Sequence, residues 1–197
     1  MEIKKRIIGM KPIQIVPIIL EANPHILELN FVIYKPIRNL SENFRIEDNL
    51  YHNFYDTILE LNKKEILEGG LTKMISKLKK DEVIGLTSKV LLRGDLPRHL
   101  PLMDFNSKPS NNNLHEIKRF LRKAGQKRGV ILQSQRSYHY YGLRVCDDTE
   151  WNKFLGYSLL YGCDERYIGH TLIADYATLR MTAGGIRKEA PKVVALI

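Results

Sequence analysis

Nine short runs rich in Val, Ile, Leu and Tyr punctuate the chain: IQIVPIIL, HILELNFVIY, VIGLTSKVLL, HLPLMDF, GVILQSQ, SYHYYGLRV, RYIGHTLI, YATLRMT and PKVVALI. Each is strand-length, and the β-branched and aromatic content suits a pleated surface. Between them lie segments whose apolar side chains recur at helical spacing. Residues 49–67 (NLYHNFYDTILELNKKEIL) read as a helix that stops at Gly69-Gly70, and LTKMISKLKK as a short second helix. LHEIKRFLRKAGQK is a third, with Leu114, Ile117, Leu121 and Ala124 on one face. Asp147 with Glu150 resembles a capping box opening a fourth over TEWNKFLGYSLLYG. Strands and helices mixed along one chain, with no long linker, predict an α+β or mixed α/β fold in a single domain over 1–197.

The charge is concentrated. The chain of 197 residues carries 31 basic and 22 acidic side chains, a formal net charge of +9. Residues 117–144 hold eight of the basic ones (Lys118, Arg119, Arg122, Lys123, Lys127, Arg128, Arg136 and Arg144) and no acid. The remainder, 23 against 22, is nearly neutral. A cationic surface confined to one segment suits a polyanion, nucleic acid or nucleotide phosphate, or else is a solvated helix face. Cys146 and Cys163 lack the paired Cys/His spacing of a zinc site and read as buried thiols in a reducing compartment, the cytoplasm. The opening MEIKKRIIGMKPIQIVPIIL is interrupted by Pro12 and Pro17. It reads as core strand rather than signal peptide or membrane span, so no membrane partner is expected.

Three places invite chemistry. Asp104 ends the strand in LPLMDFNS, where a carboxylate is costly unless paired, hydrogen-bonded or metal-bound. Alternation puts Asn106 on its face, and two oxygen ligands beside a loop suit Mg²⁺ or Mn²⁺; the competing reading is a strand-end acid capping a turn. Ser137 and His139, in SQRSYH, share a strand face next to Arg136 and can grip phosphate oxygens. A nucleophile–base pair is disfavoured, because neighbours on one strand face do not aim at a common carbonyl, and an ordinary polar face stays open. Asp164 precedes RYIGHTLI, and Arg180 lies in the next strand; alone, such an acid is a cap or turn residue.

The ordered set of strand acid, Ser-x-His, then a lone acid followed by an Arg-bearing strand resembles the archaeo-eukaryotic primase superfamily, the primase-polymerase fold. The likeness spans roughly residues 83–197, through LPLMDFN, SQRSYH and YGCDERYIGH with ATLRMT downstream. His139 lies 35 residues beyond Asp104, and Asp164 lies 25 beyond His139. The resemblance implies a mixed, largely antiparallel sheet flanked by helices. It further implies that Asp104 and Asp164 are catalytic metal ligands, with Asn106 at a third metal position. Ser137 and His139 would hold the triphosphate of an incoming nucleotide, with Arg180 and Arg136 neutralising its charge. The basic helix, through Lys118, Arg119, Arg122 and Lys123, would contact a template, and Tyr138, Tyr140 and Tyr141 are available for stacking.

Asn106 stands where the superfamily carries Asp or Glu. An amide binds Mg²⁺ more weakly than a carboxylate and removes a charge from the site. Either the enzyme works with fewer carboxylates and favours Mn²⁺, or a nearby acid such as Glu116 substitutes, or the domain binds without polymerising. The leading expectation is a primase/polymerase-type nucleotidyltransferase of DNA replication. It would use Mg²⁺ or Mn²⁺, nucleoside triphosphates and single-stranded or primed DNA or RNA. The alternative is a catalytically degenerate nucleotide- or nucleic-acid-binding module whose partners are the subunits of a larger complex. A metal-dependent nuclease shares the acids but leaves Ser-x-His unexplained.

Overall fold

The computed structural model describes residues 7–36, 57–94 and 96–197. Its first element already departs from the sequence reading. Pro12–Ala22 is a helix, α1, not a strand. Its buried residues are Pro12, Ile15, Val16, Ile19 and Leu20, a spacing that fits a helical stripe and not alternation. Pro12 sits in the first turn, where its missing N–H costs nothing. Asn23 then closes the helix, its amide donating to the carbonyls of Ile19 (2.8 Å) and Leu143 (2.9 Å).

The chain continues as β1 (Ile26–Tyr34), β2 (Thr57–Asn62), α2 (Lys63–Leu67), α3 (Gly70–Ile75), β3 (Val83–Leu92) and β4 (Leu96–His99). The helix expected over 49–67 is corrected here. Thr57–Asn62 pairs antiparallel with β1 and only Lys63–Leu67 is helical, while 49–56 lies outside the described residues. The pentapeptide Ile-Leu-Glu-Leu-Asn occurs twice, at 26–30 and 58–62, and its two copies lie side by side, Glu28 opposite Asn62 and Asn30 opposite Glu60. Asn62 ends the strand and caps α2, accepting from Glu65 N at 2.9 Å, while the Glu65 carboxylate returns a bond to Asn62 N. That reciprocal cap is why the helical signal begins at Lys63 and not earlier.

Next come β5 (Leu102–Phe105), α4 (Asn111–Lys123), β6 (Gly129–Gln133), β7 (Tyr138–Gly142), α5 (Asp148–Tyr161), α6 (Glu165–Ala174), β8 (Thr178–Arg180) and β9 (Lys192–Leu196). The expected strand RYIGHTLI is instead α6. Asp164 caps it and its buried residues are Ile168 and Thr171, three apart on one helical face. Asp147 caps α5 through Glu150 N as expected, while the Glu150 side chain pairs with Arg144.

The fold is α+β, but the strands form two sheets rather than one mixed sheet. The first runs β2-β1-β3-β4 with β8 also on β3, and the second runs β5-β7-β6-β9. Every pairing among these strands is antiparallel. Buried residues of both sheets belong to one continuous apolar cluster. The Tyr141 hydroxyl stitches the sheets together, reaching from β7 to the carbonyls of Leu179 (3.4 Å) and Arg180 (3.3 Å) on β8. Among the described residues, no helix is long and apolar enough to cross a membrane. Cys146 and Cys163 are buried free thiols, and burial pushes both up to about 12.

Candidate active site

The second sheet has two unlike faces because β5 and β7 alternate in register. Asp104 pairs with His139 and Leu102 with Tyr141, so these four side chains share the front face. Met103, Phe105, Tyr138 and Tyr140 take the back. The back face is covered by helices: Phe105 meets the Phe120 ring of α4 edge-on at 5.9 Å, and Tyr140 lies 6.2 Å from Phe154 of α5. The front face looks toward β8 and the loop after it.

Ser137 immediately precedes β7 and donates to Asp104 Oδ1 at 3.0 Å. The Ser134 hydroxyl lies 3.0 Å from that of Ser137, and the Ser134 N–H donates to the Ser137 carbonyl at 2.9 Å, which fixes the β6–β7 turn. His139 Nε2 stands 3.9 Å from Asp104 Oδ1, beyond hydrogen-bond reach, and His139 Nδ1 has no partner. Burial pushes Asp104 up to about 6, the charge of Asp164 adding to the effect against the Ser137 bond and the opposing charges of Arg187 and Arg180. Burial, with Arg180 and Arg187, drives His139 down to about 3. The imidazole is therefore neutral at pH 7, and its contact with Asp104 is not an ion pair.

Asp164 enters from α6. Its Oδ1 accepts from Tyr167 N at 3.0 Å, leaving the other carboxylate oxygen with no hydrogen bond among the described residues. A carboxylate whose ionised form is opposed by burial and by a second carboxylate is what a bound cation relieves. Mg²⁺ is commonly held by one or two carboxylates completed by water and substrate phosphates. Asp104 and Asp164, coupled by charge, are the acids that could supply carboxylates to such a site. Among the described residues no three His, Cys, Asp or Glu side chains form a group able to hold a metal by themselves.

The cations are not placed as a single reading of the sequence would have them. Arg180 is buried, and its Nη1 donates to the carbonyls of Thr182 and, at 2.8 Å, Glu189. It thus braces both ends of the 182–189 loop. That loop carries Arg187, half-buried and absent from the sequence reading, whose charge acts on Asp104, His139 and Arg180. Arg187 is fixed by reciprocal backbone bonds with Gly184, each 2.9 Å. A Cβ on Gly184 would stand 2.1 Å from the Glu82 carbonyl oxygen, so only glycine lets the loop press against β3. A Gly-Gly pair just beyond an Arg-bearing strand marked a sharp turn, and that was the available signal for Arg187.

The other expected residues are exposed or lie on other elements. Asn106 is exposed, one residue past the end of β5. Arg136 is exposed on the β6–β7 turn. Lys118, Arg119, Arg122 and Lys123 belong to α4, behind the sheet from Asp104. Glu116 pairs with Arg119 on that helix. Tyr138 and Tyr140 are core residues on the back face, and only Tyr141 of the three faces the site.

The model of the AEP-like family, archaeo-eukaryotic primase 1D-like, matches residues 62–192. The chain belongs to this family. No curated protein and no solved structure matches it. The matched region of this primase-like chain contains all of Asp104, Ser137, His139, Asp164, Arg180 and Arg187. It begins at the last residue of β2, earlier than the motif-bearing stretch, and leaves out α1, β1 and all of β2 but Asn62.

Proposed function

We propose that this primase-like protein is a nucleotidyltransferase that binds nucleoside triphosphate with Mg²⁺ or Mn²⁺ and acts on a DNA or RNA template. One observation carries the reading: Asp104, Ser137 and His139 meet on one sheet face, within reach of the charges of Asp164, Arg180 and Arg187. Nucleotidyl transfer needs both kinds of charge, carboxylates near the attacking hydroxyl and cations over the phosphates. A divalent cation held by Asp104 and Asp164 would lower the pKa of the attacking hydroxyl and offset phosphate charge. Ser137 orients the Asp104 carboxylate. His139, kept neutral, offers one ring N–H to a phosphate oxygen without repelling Arg187. The Arg187 guanidinium, held out by the braced loop, neutralises the triphosphate. Template binding falls to the remaining basic segment, of which Arg119 and Arg144 are already paired with Glu116 and Glu150.

Primer synthesis and extension, assayed with each cation, test this. Wild-type activity with loss of at least a hundredfold in Asp104→Ala is expected; equal inertness of both proteins ends the polymerase reading. A second reading, a binding module without turnover, is favoured by the exposed Asn106 and the two-carboxylate site. Nucleotide binding that persists in chelator, with no product, would select it.

A further inference from the structure

The three tyrosines of β7 are buried and cannot meet a nucleic-acid base. Two tyrosines of α5 are placed differently: Tyr157 is 52% exposed and Tyr161 is 38% exposed. They lie four residues apart, about one helical turn, so their rings share a flank of α5. Tyr161 stacks on Phe120 of α4 at 4.3 Å, with the ring planes 18° apart, and meets Phe105 edge-on at 6.5 Å. The flank that carries both rings therefore faces α4.

A second tie fixes how the two helices run. Tyr140 Oη donates to Gln126 Oε1 at 3.1 Å, just past the end of α4, and the Tyr140 ring lies 6.2 Å from Phe154. Moving forward from Phe120 to Gln126 thus means moving back from Tyr161 to Phe154 along α5. Lys123 and Lys127 accordingly lie beside the stretch of α5 that carries Tyr157 and Lys153. All three lysines are exposed, and none has an ion-pair partner among the described residues. The neighbouring acids are already held, Glu116 by Arg119 and Glu150 by Arg144, each at 2.5 Å. The result is a cationic strip with two accessible rings along it. Unpartnered lysines suit phosphates. Exposed rings suit bases outside a duplex, because paired and stacked bases cannot offer their faces. A second copy of this chain fits the strip poorly, since each copy carries a net charge of +9.

We infer that α4 and α5 form a surface for single-stranded nucleic acid behind the second sheet, where Tyr157 and Tyr161 stack on bases and Lys123 and Lys127 contact phosphates. This rests on the template part of the reading above and gives it a location. Fluorescent oligothymidylate, oligouridylate and an abasic oligomer of the same length are titrated by anisotropy over a series of salt concentrations. The proteins are wild type, Tyr157→Ser, Tyr161→Leu, which keeps an apolar contact with Phe120, and Lys123→Ser with Lys127→Ser. Each tyrosine variant should bind a base-bearing oligomer about tenfold more weakly, with an unchanged salt slope. A loss with thymidylate assigns DNA, and a loss with uridylate assigns RNA. The abasic oligomer should bind wild type and both tyrosine variants equally. The lysine variant should show a salt slope shallower by about 0.7 for each phosphate contact removed. Wild-type affinity for both base-bearing oligomers in Tyr157→Ser, whose exposed ring is not needed for folding, overturns the inference. So does an equal loss with the abasic oligomer, which would make the rings structural supports, and so does an unchanged salt slope in the lysine variant. A wild-type dimer in sedimentation that Tyr157→Ser dissociates overturns it too, by assigning the strip to self-association. If wild type binds none of the oligomers, the template reading fails and the inference with it.

Discussion

The two faces of the second sheet are built from alternate residues of the same strands, yet they obey different rules. On the back, Phe105 is 1% exposed and rings from α4 and α5 close over it, with Phe120 and Tyr161 stacked at 4.3 Å. Every buried hydroxyl there has a partner. On the front, a carboxylate is pushed up, an imidazole is pushed down and one of its ring nitrogens goes unpaired. The back face maximises packing, whereas the front keeps polar groups desolvated and under-satisfied. Sites that must bind a charged ligand tightly carry such unspent interactions, and stability is supplied elsewhere in the molecule.

The sharpest way to break this contrast is to cut into the back. Phe105→Ala should lower unfolding free energy in urea by about 3–5 kcal/mol, the usual range for a buried aromatic. A loss below about 1 kcal/mol would mean that α4 and α5 do not depend on this face.

Substitution on the front should act through pH. A carboxyl whose folded pKa is raised contributes stability that is full below its unfolded value and declines up to its folded value. For Asp104 that contribution is complete below about 3.8 and lost as pH rises through about 6. His139, depressed from 6.5 to about 3, contributes stability that is present above 6.5 and lost as pH falls toward 3. The two slopes oppose each other in the window from 4 to 6. Thermal melts should therefore show Asp104→Asn losing stability more steeply than wild type on acidification across that window, and His139→Gln losing it less steeply. Parallel curves for all three proteins would show that neither group titrates as its surroundings dictate.

The smallest effect is expected on the outer surface of α4. Arg122→Ser with Lys123→Ser should leave the melting temperature within a degree or two, since both side chains are exposed. If α4 touches nucleic acid from behind the sheet, the salt dependence of binding should become shallower by about one for each phosphate contact removed. An unchanged salt slope would leave α4 as a solvated helix.

Much of the front face was legible before any coordinates, because a strand's period of two is strict. Alternation alone put Ser137 with His139, and the Leu114, Ile117 and Leu121 stripe set out α4, while the β5–β7 pairing brought Asp104 to their face. Misreadings came where local signals are degenerate. IQIVPIIL is apolar throughout, so periodicity could not separate a buried helix from a buried strand, and its prolines argued against the right answer. Ile-Leu-Glu-Leu-Asn forms strand at both 26–30 and 58–62, although only the first copy reads as strand; the helix-forming residues after the second drew the expected helix too far upstream. RYIGHTLI has β-branched residues, but the Asp164 cap and its position against the core made it helical.

By itself the sequence determined the α+β class, the ordered acid, Ser-x-His and acid motifs, and the family to which they point. These are properties of composition and spacing, which survive without knowing what packs on what. Only the tertiary structure decided that the strands divide into two sheets, that α4 lies behind the site, and that Arg180 braces the loop presenting Arg187. Each of those depends on contacts between residues far apart in the chain, such as Arg180 against Glu189 or Tyr141 against Leu179. Desolvation and charge coupling depend on the whole surroundings of a group, and no local pattern encodes them.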